Sequence, residues 1–152
     1  MKALIFETPN KPIIADVPVP KINDSEVLVK TRTVGICHSD YELLAGRYII
    51  PISYPVTPGH EWCGEIVEVG KSVKNFKVGD RVAGCFMQGW FSGDVEAAYS
   101  ATALGGAIDG MLADLRTAWI CGCRSGSGSA VGVACGRSTG VAPCSQGRGG
   151  AS

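Results

Sequence analysis

The sequence predicts a mainly β domain, a small, partly open β-barrel with short helices, followed by a disordered tail. Three observations carry this. Short β-rich runs recur between Gly and Pro turns, the pattern of small barrels. The run Glu26–Val34 alternates in period two, with Val27, Val29, Thr31 and Thr33 set against Leu28, Lys30, Arg32 and Val34. Beyond Asp114 the chain carries no Lys, Asp, Glu or His, and Gly, Ser, Ala, Cys and Arg dominate.

The elements follow in order. Lys2–Phe6 reads as a strand, Thr8–Pro12 as a turn, and Ile13–Val17 as a second strand ended by Pro18 and Pro20. Glu26–Val34 is the clearest strand and delivers the chain to Gly35 and Cys37. Ser39 or Asp40 can cap a short helix through Glu42–Leu44, stopped at Gly46. Pro51, Pro55 and Pro58 keep Arg47–Gly59 an extended loop. Glu61–Val69 is a strand ended by Gly70, and the Gly79–Asp80 turn leads to another at Arg81–Ala83. Val95–Leu104 can be helical, and Met111–Leu115 can form a further strand. From about Arg116 no Leu or Phe follows. Ordering a residue costs about 1–2 kcal/mol in backbone entropy, and this segment has too little apolar area to offset it. The expected division is a domain at 1–115 and a disordered tail at 116–152.

Composition excludes several functions. The 152 residues carry zero formal net charge, which gives no sign of a nucleic-acid or membrane-surface partner. No transmembrane run is present, and Met1–Phe6 turns polar at once, unlike a secretory leader, so the expected location is cytoplasmic. The seven cysteines are odd in number, which argues against a disulfide framework.

The chemistry gathers between Cys37 and Glu61. Both histidines of the chain, His38 and His60, lie there. Cys37, His60 and Glu61 offer soft sulfur, borderline nitrogen and hard oxygen, a set that suits zinc. Three protein ligands with one open position describe a catalytic site and not a structural one. The plainer alternative is a buried structural cysteine and a capping histidine. Ser39 can serve only as a cap, Asp40 can serve only the helix dipole, and Cys63 and Cys85 can be small apolar residues of a barrel wall.

Three linked motifs point further: Gly35-Ile36-Cys37-His38-Ser39-Asp40, then Pro58-Gly59-His60-Glu61-Trp62-Cys63-Gly64-Glu65-Ile66-Val67-Glu68-Val69-Gly70, then Val78-Gly79-Asp80-Arg81-Val82. With them the body resembles the N-terminal, GroES-like catalytic domain of medium-chain zinc-dependent alcohol dehydrogenases. The match runs from Met1 to about Ala83 and more loosely through Gly105–Ala113. The resemblance implies a GroES-like barrel, with Cys37 and His60 as catalytic zinc ligands and Glu61 as the neighbouring carboxylate that coordinates in some states. Ser39 corresponds to the hydroxyl that relays the substrate proton. Asp40 corresponds to the carboxylate that orients the zinc-bound imidazole, and His38 to a residue near the cofactor pyrophosphate. It also implies a zinc cofactor, a small-molecule alcohol or carbonyl substrate, and hydride transfer with NAD or NADP. Substrate identity, NAD versus NADP, the fourth zinc ligand and oligomer formation stay open.

The resemblance also sets expectations by what is missing. The family's Rossmann domain is absent, so NAD or NADP is not expected to bind this chain alone. Gly126–Gly132 superficially resembles a dinucleotide loop, but its spacing is one residue too long and no acidic residue follows. Cys85 stands alone where many members carry a four-cysteine zinc lobe. Cys121, Cys123, Cys135 and Cys144 lack that spacing, and Cys144 does not match the family's downstream ligand. The loss of acids after Asp114 suggests a shifted reading frame or truncated gene. The alternative function is a stand-alone zinc-binding GroES-like module or an inactive fragment without hydride transfer.

Overall fold

The computed structural model describes residues 1–90, 94, 96–119 and 132–134. Strands β1 (Lys2–Thr8) and β2 (Lys11–Asp16) form an antiparallel hairpin. Its turn places Asn10 at a φ of 59°, a left-handed conformation that Asn accepts more readily than most residues. Strands β3 (Glu26–Gly35), β4 (Glu61–Val69), β5 (Arg81–Gly84), β6 (Leu115–Trp119) and β7 (Gly132–Ala134) form one sheet in the order β6-β3-β4-β5-β7. All neighbours in it are antiparallel except β5 and β7. The hairpin joins the rest through bridges from Ala3 to Ala113 and from Phe6 to Val56. The mainly β class is borne out, and the described strands form two sheets that do not close on each other.

The expected strands return with small changes of boundary. Helix α1 spans His38–Leu44, so it begins before the expected Glu42. Its N-cap is Cys37, and Ser39 and Asp40 sit in its first turn; neither is the cap. Gly46, at a φ of 69°, stops it as expected. The expected helix over Val95–Leu104 is a short 3-10 turn at Ala97–Thr102. The expected strand at Met111–Leu115 lies later, at Leu115–Trp119, because that stretch is the one that pairs with β3 from Glu26↔Trp119 to Lys30↔Leu115.

The expected domain boundary after residue 115 therefore falls inside β6. Ala118 is buried, the Trp119 amide donates to Gln88 Oε1 at 3.1 Å, and the Trp119 indole donates to Glu26 Oε1 at 2.9 Å. Strand β7 likewise lies within the stretch expected to be disordered. The other tail expectations, at residues 120–131 and 135–152, lie outside the described residues, as do Cys121, Cys123, Cys135 and Cys144. Among the described residues no helix is long and apolar enough to cross a membrane.

Two apolar clusters hold the fold. The larger gathers Val27, Val29, Trp62, Ile66, Phe76, Val82, Leu104, Met111 and Ala118 around the sheet. The smaller packs Phe6, Leu43 and Val56 between the hairpin, α1 and the proline loop. Leu43 is the buried apolar residue of α1 and anchors the helix that follows Cys37.

Candidate metal centre

The site is built where β3 ends and β4 begins. These strands pair through Gly35↔Glu61, so Cys37, two residues past β3, and His60, one residue before β4, meet across the ladder. Cys37 Sγ lies 3.6 Å from His60 Nε2. One ligand atom each from Cys37, His60 and Glu61 falls within 4.8 Å of the others. Cys37 and His60 are half-buried and Glu61 is exposed. A Cβ on Gly35 would come within 2.9 Å of a Glu61 carboxylate oxygen.

These donors fit zinc. Bonds of about 2.3 Å to sulfur and about 2.0–2.1 Å to nitrogen at a tetrahedral angle place the two ligand atoms about 3.6 Å apart. The observed separation is the same without movement of either side chain. A thiol, an imidazole and a carboxylate leave the fourth tetrahedral position to another group.

The flanking residues divide by role. Ser39 Oγ lies 2.9 Å from Cys37 Sγ, so its hydroxyl borders the candidate ligand sulfur. Asp40 is 4% exposed, and its two oxygens accept main-chain N–H groups, Cys37 at 2.9 Å and Gly59 at 3.1 Å. His38, with an 87% exposed side chain, lies 3.6 Å from Glu42. Arg47, hydrogen-bonded to Glu42, holds the Glu42 carboxyl below the ordinary carboxylate range.

Sequence reasoning missed Phe86. Its ring lies 4.7 Å from the His60 ring at a tilt of 53°, the only aromatic pair among the described residues. It sits in irregular chain after β5, where no periodicity marks a partner. Also unanticipated is how tightly the His60 segment is held. Gly110, Met111 and Leu112 donate N–H groups to the carbonyls of Thr57, Gly59 and Pro58. A Cβ on Gly110 would come within 2.4 Å of two of those carbonyl oxygens, so only glycine permits the approach. Behind it, Arg116 donates to Asp109 and to Thr57, and Asp109 accepts the Thr57 N–H at 2.8 Å.

Comparison with known proteins agrees with this geometry. The family model described as "Alcohol dehydrogenase GroES-like domain" matches residues 23–125. An alcohol dehydrogenase of Geobacillus stearothermophilus is 45% identical over 83 residues, covering 54% of this chain and 24% of that protein. Sorbitol dehydrogenase of Bacillus subtilis is 46% identical over 87 residues, covering 55% and 24%. Among solved structures, galactitol-1-phosphate dehydrogenase of Escherichia coli superposes with a TM-score of 0.62 at 28% identity, over 78% of this chain and 36% of that one. A short chain alcohol dehydrogenase of Escherichia coli CFT073, complexed with NADH, gives 0.62 at 30% identity, over 77% and 35%. The chain thus spans about a quarter of the length of these curated relatives. With the motif ends of β3 and β4 in register and most of its length matched by one family model, the chain belongs to the alcohol dehydrogenase GroES-like domain family.

Proposed function

We propose that Cys37, His60 and Glu61 hold a zinc ion, and that the chain is the zinc-binding catalytic domain of an NAD- or NADP-dependent alcohol dehydrogenase acting on a small alcohol or carbonyl compound. The observation that carries this is the convergence of three ligand atoms within 4.8 Å in a chain whose family model is the alcohol dehydrogenase domain. Zinc bound there supplies a Lewis acid for the substrate oxygen.

The chain's own residues supply the remaining parts. Cys37 and His60 fix the ion between two strand ends, and Glu61, exposed and next in sequence, offers a carboxylate that enters or leaves. Ser39 Oγ, beside the ligand sulfur, holds and passes the proton of the substrate hydroxyl. His38, exposed at the start of α1, offers a cation to a cofactor phosphate when protonated. Phe86 gives the site an apolar wall against the His60 ring.

Metal analysis of the purified chain tests the site. Stoichiometric zinc is expected in the wild type and none in Cys37→Ala; full zinc in that variant refutes the assignment. NAD(P)H titration tests the second half. Saturable binding places a cofactor site in this chain, and its absence leaves a zinc-binding module without hydride transfer.

A further inference from the structure

The Asp40 carboxyl group is buried, and both of its oxygens are taken by main-chain donors that belong to the two segments carrying the sulfur and nitrogen ligands. We propose that Asp40 is a positioning residue that clamps the main chains of those two segments, setting the Cys37–His60 separation before any metal arrives. This inference rests on the metal-binding reading above. It differs from the role the family resemblance implies, in which the carboxylate acts on the imidazole.

The geometry of the site supports the clamp. A carboxyl group out of water is tolerated only where its oxygens are bonded, and bonds from N–H groups to a carboxylate are stronger than neutral ones. One donor is the amide of Cys37 itself, and the other is the amide of Gly59, whose peptide leads directly into His60. Gly59 has a φ of 93°, which favours glycine, and a Cβ there would lie 2.7 Å from a Val34 methyl. The Gly59 peptide is also held from its far side, because its carbonyl accepts the Met111 N–H at 2.8 Å. The same Asp40 that takes the Cys37 N–H returns its own amide to the Cys37 carbonyl at 3.2 Å. Among the described residues no Lys or Arg pairs with Asp40, and its carboxyl oxygens accept only backbone N–H groups. A metal that enters a pair already set at 3.6 Å has little rearrangement to drive.

Amide hydrogen exchange by NMR on the full chain, free of metal, tests the clamp directly. In the wild type the Cys37 and Gly59 amides are expected to exchange slowly. In Asp40→Ala both are expected to lose at least about tenfold in protection together, while the Val27 and Ile66 amides keep theirs. Asp40→Asn, which keeps one side-chain acceptor oxygen, is expected to fall between. Cobalt(II) titration, read by the thiolate-to-metal absorption band, is expected to show binding weakened about tenfold to a hundredfold in Asp40→Ala. Fast exchange of both amides in the wild type overturns the proposal and needs no variant that folds. Cobalt binding that weakens in Asp40→Ala while both amides stay protected also overturns it, and returns Asp40 to the imidazole. A wild type that binds no cobalt refutes the metal-binding reading and the positioning role with it. The exchange data tell this apart from a failed clamp, because they need no metal.

Discussion

The two ends of the β3–β4 ladder are made alike and used differently. At one end Val27 and Val29 face Val69 and Ile66, with Val27, Val29 and Ile66 fully out of water. At the other end Thr33, Gly35 and Glu61 are exposed, and Cys37 and His60 meet just beyond the last pair. The buried end can set register, since a slip of one residue would turn its side chains to the wrong face. The open end buries less, chiefly Trp62 opposite Val34, and its last pairs follow that register. The ladder carries an extra residue in β4, between Leu28 and Val29 of its partner, and another in β3, between Thr31 and Thr33. One irregularity opens an offset and the other closes it, so Gly35 still meets Glu61. The closed end thus supplies most of the apolar burial of this ladder, and the open one places Cys37, His60 and Glu61 together.

Substitutions at each end can break or sharpen this contrast. The largest effect is expected from Ile66→Ala, which empties a fully buried position and should cost about 2–5 kcal/mol, read as the urea midpoint of the zinc-free chain. A loss below about 1 kcal/mol would mean that the closed end does not carry the fold. Gly84→Ala comes next. Its Cβ would sit 2.1 Å from the buried Trp62 indole, a ring with no free end to swing away, and the strain expected is about 1–3 kcal/mol.

Gly35→Ala tests the open end. The new Cβ would come within 2.9 Å of a Glu61 oxygen, the far end of a flexible, exposed side chain, and 3.2 Å from the Glu61 Cβ, which a shift of a few tenths of an ångström relieves. The expected stability change is under about 1 kcal/mol, with zinc content unchanged because Cys37 and His60 stay in place. A cooperative loss of folding in that variant would erase the distinction between the ends.

The smallest effect belongs to the surface midway along the ladder. Arg32 donates to Glu65 at 2.8 Å and holds its carboxyl below the ordinary carboxylate range. A carboxyl depressed on folding adds stability above its unfolded value, and that increment disappears as pH falls through the depressed value. Arg32→Gln should therefore lower the urea midpoint slightly at about pH 7, with the difference shrinking as pH falls through the depressed Glu65 value and also with added salt.

Much of the open end was legible from residue types. Cys37, His60 and Glu61 stood out because few side chains bind metal and both histidines fell in one stretch; the structure brings all three together, with Ser39 beside them. Strand β4 matched its expected span because Trp62, Ile66, Val67 and Val69 sit between Gly59 and Gly70. Strand β6 was placed too early because Leu115–Trp119 lies beside Gly- and Ser-rich chain, and its order comes from β3 and Gln88, which are far away in sequence. Phe86 was missed for the same reason: its contact with His60 depends on a loop that follows no repeat.

Local chemistry alone determined the mainly β class, most strand positions and the candidate ligand set, because alternation, turn residues and side-chain donor chemistry are properties of short stretches. Tertiary structure decided what those stretches do to one another. It set the cancelling irregularities of the β3–β4 ladder, carried the domain through β6, and turned an Asp40 oxygen onto the Gly59 amide. Those outcomes depend on bonds between residues from 19 to 93 positions apart, from Asp40–Gly59 to Glu26–Trp119. The energy of such a bond exists only once the chain has folded, so residue type and spacing do not reveal it.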